Sequence, residues 1–218
     1  STDGIFEACC AISEGEEDVL YCVISRTVNG VKKRFVERMH EQQYGDIKHA
    51  VFLDCSGTYE GEPKTEIGGL TWLEGATVSI LADGAVEPSQ KVVDGKITLQ
   101  SPASIVQVGL PYAVELQTLP LALQLQDGSF GAGHRKNVRS VSMRVLDTYG
   151  ISAGPDEENL SPYLPRGQEC PGSVPEAVND EVTFDIEPDW SASGQVVVQQ
   201  NVPLPFRLIS MTTTLETA

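Results

Sequence analysis

Basic residues are scarce in this chain: 15 Lys and Arg stand against 31 Asp and Glu, a formal net charge of −16 over 218 residues. Affinity for nucleic-acid phosphates comes from cations that displace counterions. The balance therefore argues against a sequence-specific DNA binder, while an acidic wall still lets DNA pass without adhering. Long apolar runs are also missing. No stretch approaches the roughly 18 residues of a membrane span, and no signal-peptide pattern opens the chain. It starts at Ser1 rather than Met, as expected of a trimmed or processed fragment of something longer. Aromatic residues make up only 6%, and the two tryptophans, Trp72 and Trp190, stand far apart, so no carbohydrate-stacking platform is evident. The cysteines Cys9, Cys10, Cys22, Cys55 and Cys170 are odd in number and form no CxxC pair, which excludes a disulfide framework or a zinc ribbon on spacing. They read as reduced thiols. Adjacent Cys9 and Cys10 point to opposite faces if they lie in a strand, so at least one is expected to serve as a small buried hydrophobe.

Catalytic signatures are absent in the same way. There is no Gly-x-Ser-x-Gly elbow for a serine nucleophile. His40, His49 and His134 are too widely spaced for a paired-His metal site and read as ordinary surface residues. Asp185, Glu187 and Asp189 open like a calcium loop, in which carboxylates two apart share one cation. The pattern then fails, with Trp190 where the turn needs Gly and Val196 where it needs Glu, so a solvated strand face is the better reading. No pair of acids stands out as the couple a glycosidase needs. The basic, glycine-containing stretch Gly131-Ala132-Gly133-His134-Arg135-Lys136 lacks the helix that completes a phosphate loop and reads as a turn with a solvated basic rim, available to an acidic neighbouring subunit. The expectation is a non-enzyme: no catalytic, cofactor-binding or metal residues, and no cofactor.

What the sequence does contain is turns. Asn29-Gly30, Asp83-Gly84, Asp94-Gly95 and Asp127-Gly128 punctuate β-branched and aromatic runs. Two-residue hairpin loops require positive φ, which Gly adopts freely and Asn or Asp adopt better than most residues. Closing the chain at Asn29-Gly30 pairs Val28 with Val31, Ile24 with Phe35, Cys22 with Glu37 and Leu20 with Met39 on a mostly apolar face. Thr27 with Lys32, Ser25 with Arg34, Val23 with Val36 and Tyr21 with Arg38 fall on a face that meets water or a weaker interface. One pair disobeys: Arg26 faces Lys33, which calls for an acidic neighbour or open solvent. Around Asp94-Gly95 the same counting sets Val92 against Ile97 and Gln90 against Leu99.

The predicted fold class is all-β, in three parts. Residues 1–57 form an N-terminal antiparallel segment with strands at 5–12, 19–28, 31–39 and 50–55 and an acidic loop at 14–18. It is a candidate to pack with the C-terminal part. Residues 58–108 hold short strands at 70–73, 77–82, 91–93, 97–99 and 105–108, closely spaced as in a small barrel. Residues 109–218 form a C-terminal antiparallel domain with strands at 113–125, broken by Pro120, and at 138–148, 182–186, 196–200 and 206–215. Between them, 150–175 reads as a long surface loop, rich in Pro and Gly and carrying Asp156-Glu157-Glu158.

Four segments recur in a familiar order: Val108-Gly109-Leu110-Pro111-Tyr112, then Leu116-Gln117-Thr118-Leu119-Pro120-Leu121, then VRSVSMRVLDTYGISAG at 138–154, then GQVVVQQNVPLPFRLISMT at 194–212. That order resembles the C-terminal half of the tail nozzle proteins of short-tailed bacteriophages and prophages, also called tail tubular B or packaged-DNA stabilisation proteins. The hairpin at 28–38 is similar to the last propeller-type strands before VGLPY in that family, whose N-terminal propeller is largely absent here. Residues 58–108, with Leu73-Glu74-Gly75 and Ile80-Leu81-Ala82-Asp83-Gly84, resemble the small β-barrel module of ubiquitin-activating enzymes, which such phage proteins carry as an insertion. The resemblance implies a virion structural protein, assembled in the host cytoplasm and located in the virion tail. It would form a hexameric ring that contacts other tail and portal-adaptor proteins and conducts DNA without binding it specifically. The rival expectation is a β-sandwich binding module for carbohydrate or a cell-surface partner.

Overall fold

The computed structural model describes residues 4–15, 17–40, 44–122, 134–164, 174–187 and 190–217, and nearly every regular element in it is a strand. Two units are distinguished: the described residues up to Tyr112 with Val174 and Pro175, and the remainder from Ala113 onward.

The first unit opens with β1 (Gly4–Glu14), β2 (Glu17–Val28) and β3 (Val31–Arg38), an antiparallel sheet in that order. Asn29 and Gly30 hold φ of +50° and +75°, the positive values a primed two-residue turn requires. All the pairs expected from that turn are present, from Val28 with Val31 to Tyr21 with Arg38, and the Met39 N–H donates to the Leu20 carbonyl at 2.9 Å. The acidic loop expected at 14–18 is tighter than that, because Glu14 and Glu17 are already strand partners.

A second sheet follows, built from β4 (Asp54–Ile67), β5 (Thr77–Ala82), β6 (Ala85–Lys91) and β7 (Ile97–Leu110) in the order β4-β7-β5-β6. It is open, so the small closed barrel expected for this region does not form: β4 and β6 remain as edges. Asp83-Gly84 makes the β5–β6 hairpin, with Ala82 paired to Ala85. Pro88 lies in edge strand β6 at a register shift, the place where a residue without an N–H is tolerated. At Asp94-Gly95 only Val93 and Lys96 bridge, after which Ile97 pairs with Ile67 of β4 rather than continuing with Val92. The strand expected at 50–55 begins instead at Asp54 and runs 14 residues through Gly61 and Pro63. The segment 58–108 enters and leaves through paired strands, since Gly57 is partnered with Val108 and Thr58 with Gln107. Its core is aliphatic, with Leu73, Val78, Ile80, Val92 and Val106 fully buried.

The second unit contains β8 (Val114–Gln117), β9 (Lys136–Val145), β10 (Ile151–Gly154), β11 (Ser161–Pro162), β12 (Glu181–Asp185), β13 (Val197–Gln200) and β14 (Leu208–Thr217). They form two sheets, β11-β10-β13-β8 and β12-β9-β14, whose inner residues share one core of Val141, Met143, Ile151, Val182, Phe184 and Val198. The expected long loop at 150–175 is therefore corrected at its start, where buried Ile151 and Ala153 belong to a strand. The strand expected at 113–125 stops at Gln117, and Leu119 is exposed. Residues 123–133, including the turn at Asp127-Gly128, lie outside the described residues.

Buried polar groups join the motifs of this unit. Gln200 donates through Nε2 to the Tyr149 carbonyl at 2.6 Å and the Pro205 carbonyl at 3.1 Å, while the Thr148 hydroxyl accepts from the Arg207 N–H at 2.9 Å. A buried carbonyl left without a donor costs about 1–3 kcal/mol. Gln200→Leu is therefore expected to destabilise this unit by about that amount in urea unfolding followed by circular dichroism; an unchanged midpoint would remove the amide from the account.

Candidate functional site

Arg26 is the most unusual side chain of the first unit, because strand alternation places it on the apolar face between Ile24 and Val28, where it is only 2% exposed. Its guanidinium grips Glu37 of β3 in a two-pronged pair, Nε to Oε1 at 2.6 Å and Nη2 to Oε2 at 2.8 Å. Nη1 reaches Asp54, at the start of β4, at 3.2 Å. The acidic neighbour demanded by the Arg26–Lys33 clash is thus present twice. The bond to Glu37 is the main cause that holds the Arg26 pKa above its ordinary value, so the cation is permanent.

A groove of about 680 Å³ opens beside this trio. Phe6, Ile24, Phe35, Phe52 and Trp72 supply apolar wall, and Arg26, Glu37, Asp54, Cys22, Cys55 and Tyr112 line the rest. Trp72 is fixed by its indole N–H, which donates to the Cys55 carbonyl at 3.2 Å. A Cβ on Gly57 would stand 2.9 Å from the Trp72 ring, so only glycine lets the indole lie there. Gly109 answers a similar demand: a Cβ would come within 2.8 Å of the Asp54 carbonyl oxygen, where β4 shifts register against β7. The three guanidinium nitrogens are engaged by the two carboxylates, so the groove carries a fixed charge pattern beside the Cys22 and Cys55 thiols.

Burial pushes the Cys55 thiol up to about 12, with Glu37 the next cause, and raises Cys22 and Tyr112 as well. A thiol raised in the folded state favours folding only while the unfolded thiol is also protonated. The contribution is intact below the ordinary value of 9.0 and disappears as pH rises toward 12.

The other feature of this unit is a long exposed edge. Among the described residues β1 pairs only with β2, and ten of its eleven residues are exposed, Ile5, Phe6 and Ile12 among them. Edge strands are normally protected by charged side chains, Pro, a bulge or a cover; β1 has no Lys or Pro, shifts register at Glu7, and its charges, Glu7 and Glu14, are engaged by Arg34 and Arg38. Val36 and Met39 on the β3 side are exposed too.

Of the residues singled out in the sequence, Cys22, Cys55, Trp72 and His40 meet at the groove, and the other histidines and the acids of the other motifs are not brought together. His40 lines the groove, His49 ends a one-turn 3-10 helix (Ile47–His49), and His134 is exposed ahead of β9. Asp185 and Glu187 are exposed on and after β12, while Asp189, Cys170 and Gly131 to Gly133 lie outside the described residues. Two expectations need correction. Both Cys9 and Cys10 are exposed, because β1 has no covering layer on either face. Lys136 does not belong to a solvated rim: it is fully buried, with Nζ donating to the Ala192 carbonyl at 2.8 Å and the His134 carbonyl at 3.2 Å. Among the described residues no three His, Cys, Asp or Glu side chains group as a metal site, and no helix is long and apolar enough to cross a membrane. Asp54 is the participant the sequence did not announce, since it opens a strand of mixed polarity and its partner lies 28 residues away.

Comparison with protein-family models gives no match, and comparison with curated proteins gives none.

Removing one member of a buried ion group leaves the others uncompensated, at a cost of about 3–5 kcal/mol when burial is complete. Glu37 and Asp54 keep 18% and 19% exposure, so Arg26→Met should cost about 3 kcal/mol and Glu37→Gln roughly half, because Asp54 still faces the cation. Equal, small losses in urea unfolding would dismiss the trio as a fastening. In alkaline titration of stability, the wild type should weaken above pH 9 and Cys55→Ala should weaken with a shallower slope; identical slopes would remove Cys55 from the cause.

Proposed function

We propose that the chain is a structural part of a short-tailed phage tail, a piece of the nozzle that retains and conducts the genome, acting as one member of a six-membered ring. The observation that carries this reading is the exposed apolar β1 edge, whose backbone groups call for a strand from a neighbour. A closed ring supplies one to every copy and leaves no free edge at its ends. The net charge of −16 supports it further, since repeated acidic copies form a wall along which DNA slides. The order of the VGLPY, LQTLPL, DTYGISAG and NVPLPF segments supports the same assignment. In the second unit the last three of these are strand and turn segments around one core. The carbohydrate-module reading has less support: Trp190 is the one exposed aromatic among the described residues of that unit.

Mass photometry and negative-stain microscopy of the protein over a range of concentrations test the proposal. Rings are expected, together with no shift of duplex DNA at about 50 mM salt, where phosphate contacts are strongest. A monomer at every concentration that binds a glycan array saturably would overturn it.

A further inference from the structure

The strand register brings two of the exposed sheet's thiols into opposition. Cys9 of β1 is the register partner of Cys22 of β2. The Met39 N–H bonds to the Leu20 carbonyl, so even-numbered residues of β2 turn their backbone groups toward β3. Cys22 therefore turns its own away from β1, which makes Cys9 and Cys22 a pair without mutual backbone hydrogen bonds. Such pairs have the closest side chains of an antiparallel ladder, with Cα atoms about 4.5 Å apart, inside the roughly 4.4–6.8 Å that a disulfide spans. Both side chains project to the same face. Cys10, one residue on, partners Tyr21 and projects to the other face.

We propose that Cys9 and Cys22 are a two-thiol site that a low-molecular-weight disulfide oxidises to a cross-strand disulfide, tying the edge strand β1 to β2. Exposed Cys9 gives up its proton to water, and its thiolate attacks one sulfur of the oxidant, releasing the first small thiolate and leaving a mixed disulfide. The Cys22 thiolate, its proton likewise lost to water, then attacks the Cys9 sulfur and displaces the second. The protein loses two protons and two electrons, and the oxidant is reduced to two thiols. Cys22 is buried and its pKa is raised, first by that burial and next by Cys9, so the second step is the slow one and the mixed disulfide precedes closure. Once closed, the bond fixes the exposed edge strand.

The test is oxidation of the full chain with glutathione disulfide, followed by peptide mapping and by hydrogen exchange. Expected are a Cys9–Cys22 linked peptide two hydrogens lighter than its parts and reversed by dithiothreitol. The β1 amides bonded to β2 should exchange at least about tenfold more slowly after closure. Cys9→Ser and Cys22→Ala should each abolish the link, and Cys10→Ser should keep it. A Cys9–Cys10 or Cys22–Cys55 bond, a link between two chains, or glutathione held on Cys9 without closure would each overturn the proposal. Because Cys9→Ser alters an exposed position only, loss of the link there is not confounded by a failure to fold.

Discussion

A charge that cannot be neutralised, placed on the apolar side of a sheet, dictates much of the first unit. Arg26 has no escape by losing its proton, so the fold must bring carboxylates to it. Glu37 comes from the same hairpin, and its position follows from the Asn29-Gly30 turn: a slip of one residue would send it to the opposite face. Asp54 comes from beyond the hairpin, and its arrival fixes where β4 starts. From that point the register of β4 against β7 follows, with Gly109 allowing the close approach and Gly57 leaving room for Trp72. The trio thus transmits the geometry of one turn into the second sheet. Replacement by apolar residues of similar volume is often no less stable than a buried ion group; what the trio adds here is a polar tie between β2, β3 and the start of β4.

What was legible in the sequence follows the same logic. The hairpin at Asn29-Gly30 could be read to the last pair because turn type, register and facing are one variable there. The Arg26–Lys33 conflict, a breach of an otherwise apolar face, is enough by itself to require an acidic partner or water, and the ion group is that partner. β4 was illegible from Glu60 to Glu66 because that stretch is exposed on both faces, so no alternation marks it; the strand exists by pairing with β7. β10 was hidden among glycines and prolines. Its Gly154 is required because a Cβ there would collide with the Asn159 carbonyl oxygen in the turn that follows, so the residue that signalled a loop is the one that lets a buried strand end. Lys136 misled for a simpler reason: a lysine beside Arg and His reads as solvated, whereas carbonyls contributed by residues 134 and 192 satisfy it inside the unit.

The second unit solves a different problem. Its two sheets share an aliphatic core that any β-rich sequence of suitable volume would fill, and such cores specify a fold only loosely. Specificity comes from the polar contacts at the junction of DTYG with QQNVPLPFR, where Gln200 closes on Tyr149 and Pro205, and Thr148 on Arg207. Asp147, at a φ of +44°, is held by Arg207 at 3.4 Å. These bonds are short-range in space and long-range in sequence. Brief, widely separated motifs thereby hold one architecture together.

Charge and edge together bound what this architecture can do. An acidic surface repels further copies of itself at a distance, and the repulsion is screened within about 10 Å at ordinary salt. Association must therefore rest on contacts shorter than that range. In the assembly proposed above that role falls to the exposed ribbon: a row of backbone donors and acceptors on β1, with Ile5, Phe6 and Ile12 flanking it, directional in the first part and apolar in the second. Long-range repulsion with short-range directional adhesion favours growth along one line over random clustering. In the ring proposed above, a rotation per copy that divides the full turn closes such a line, whereas any other rotation leaves an open filament.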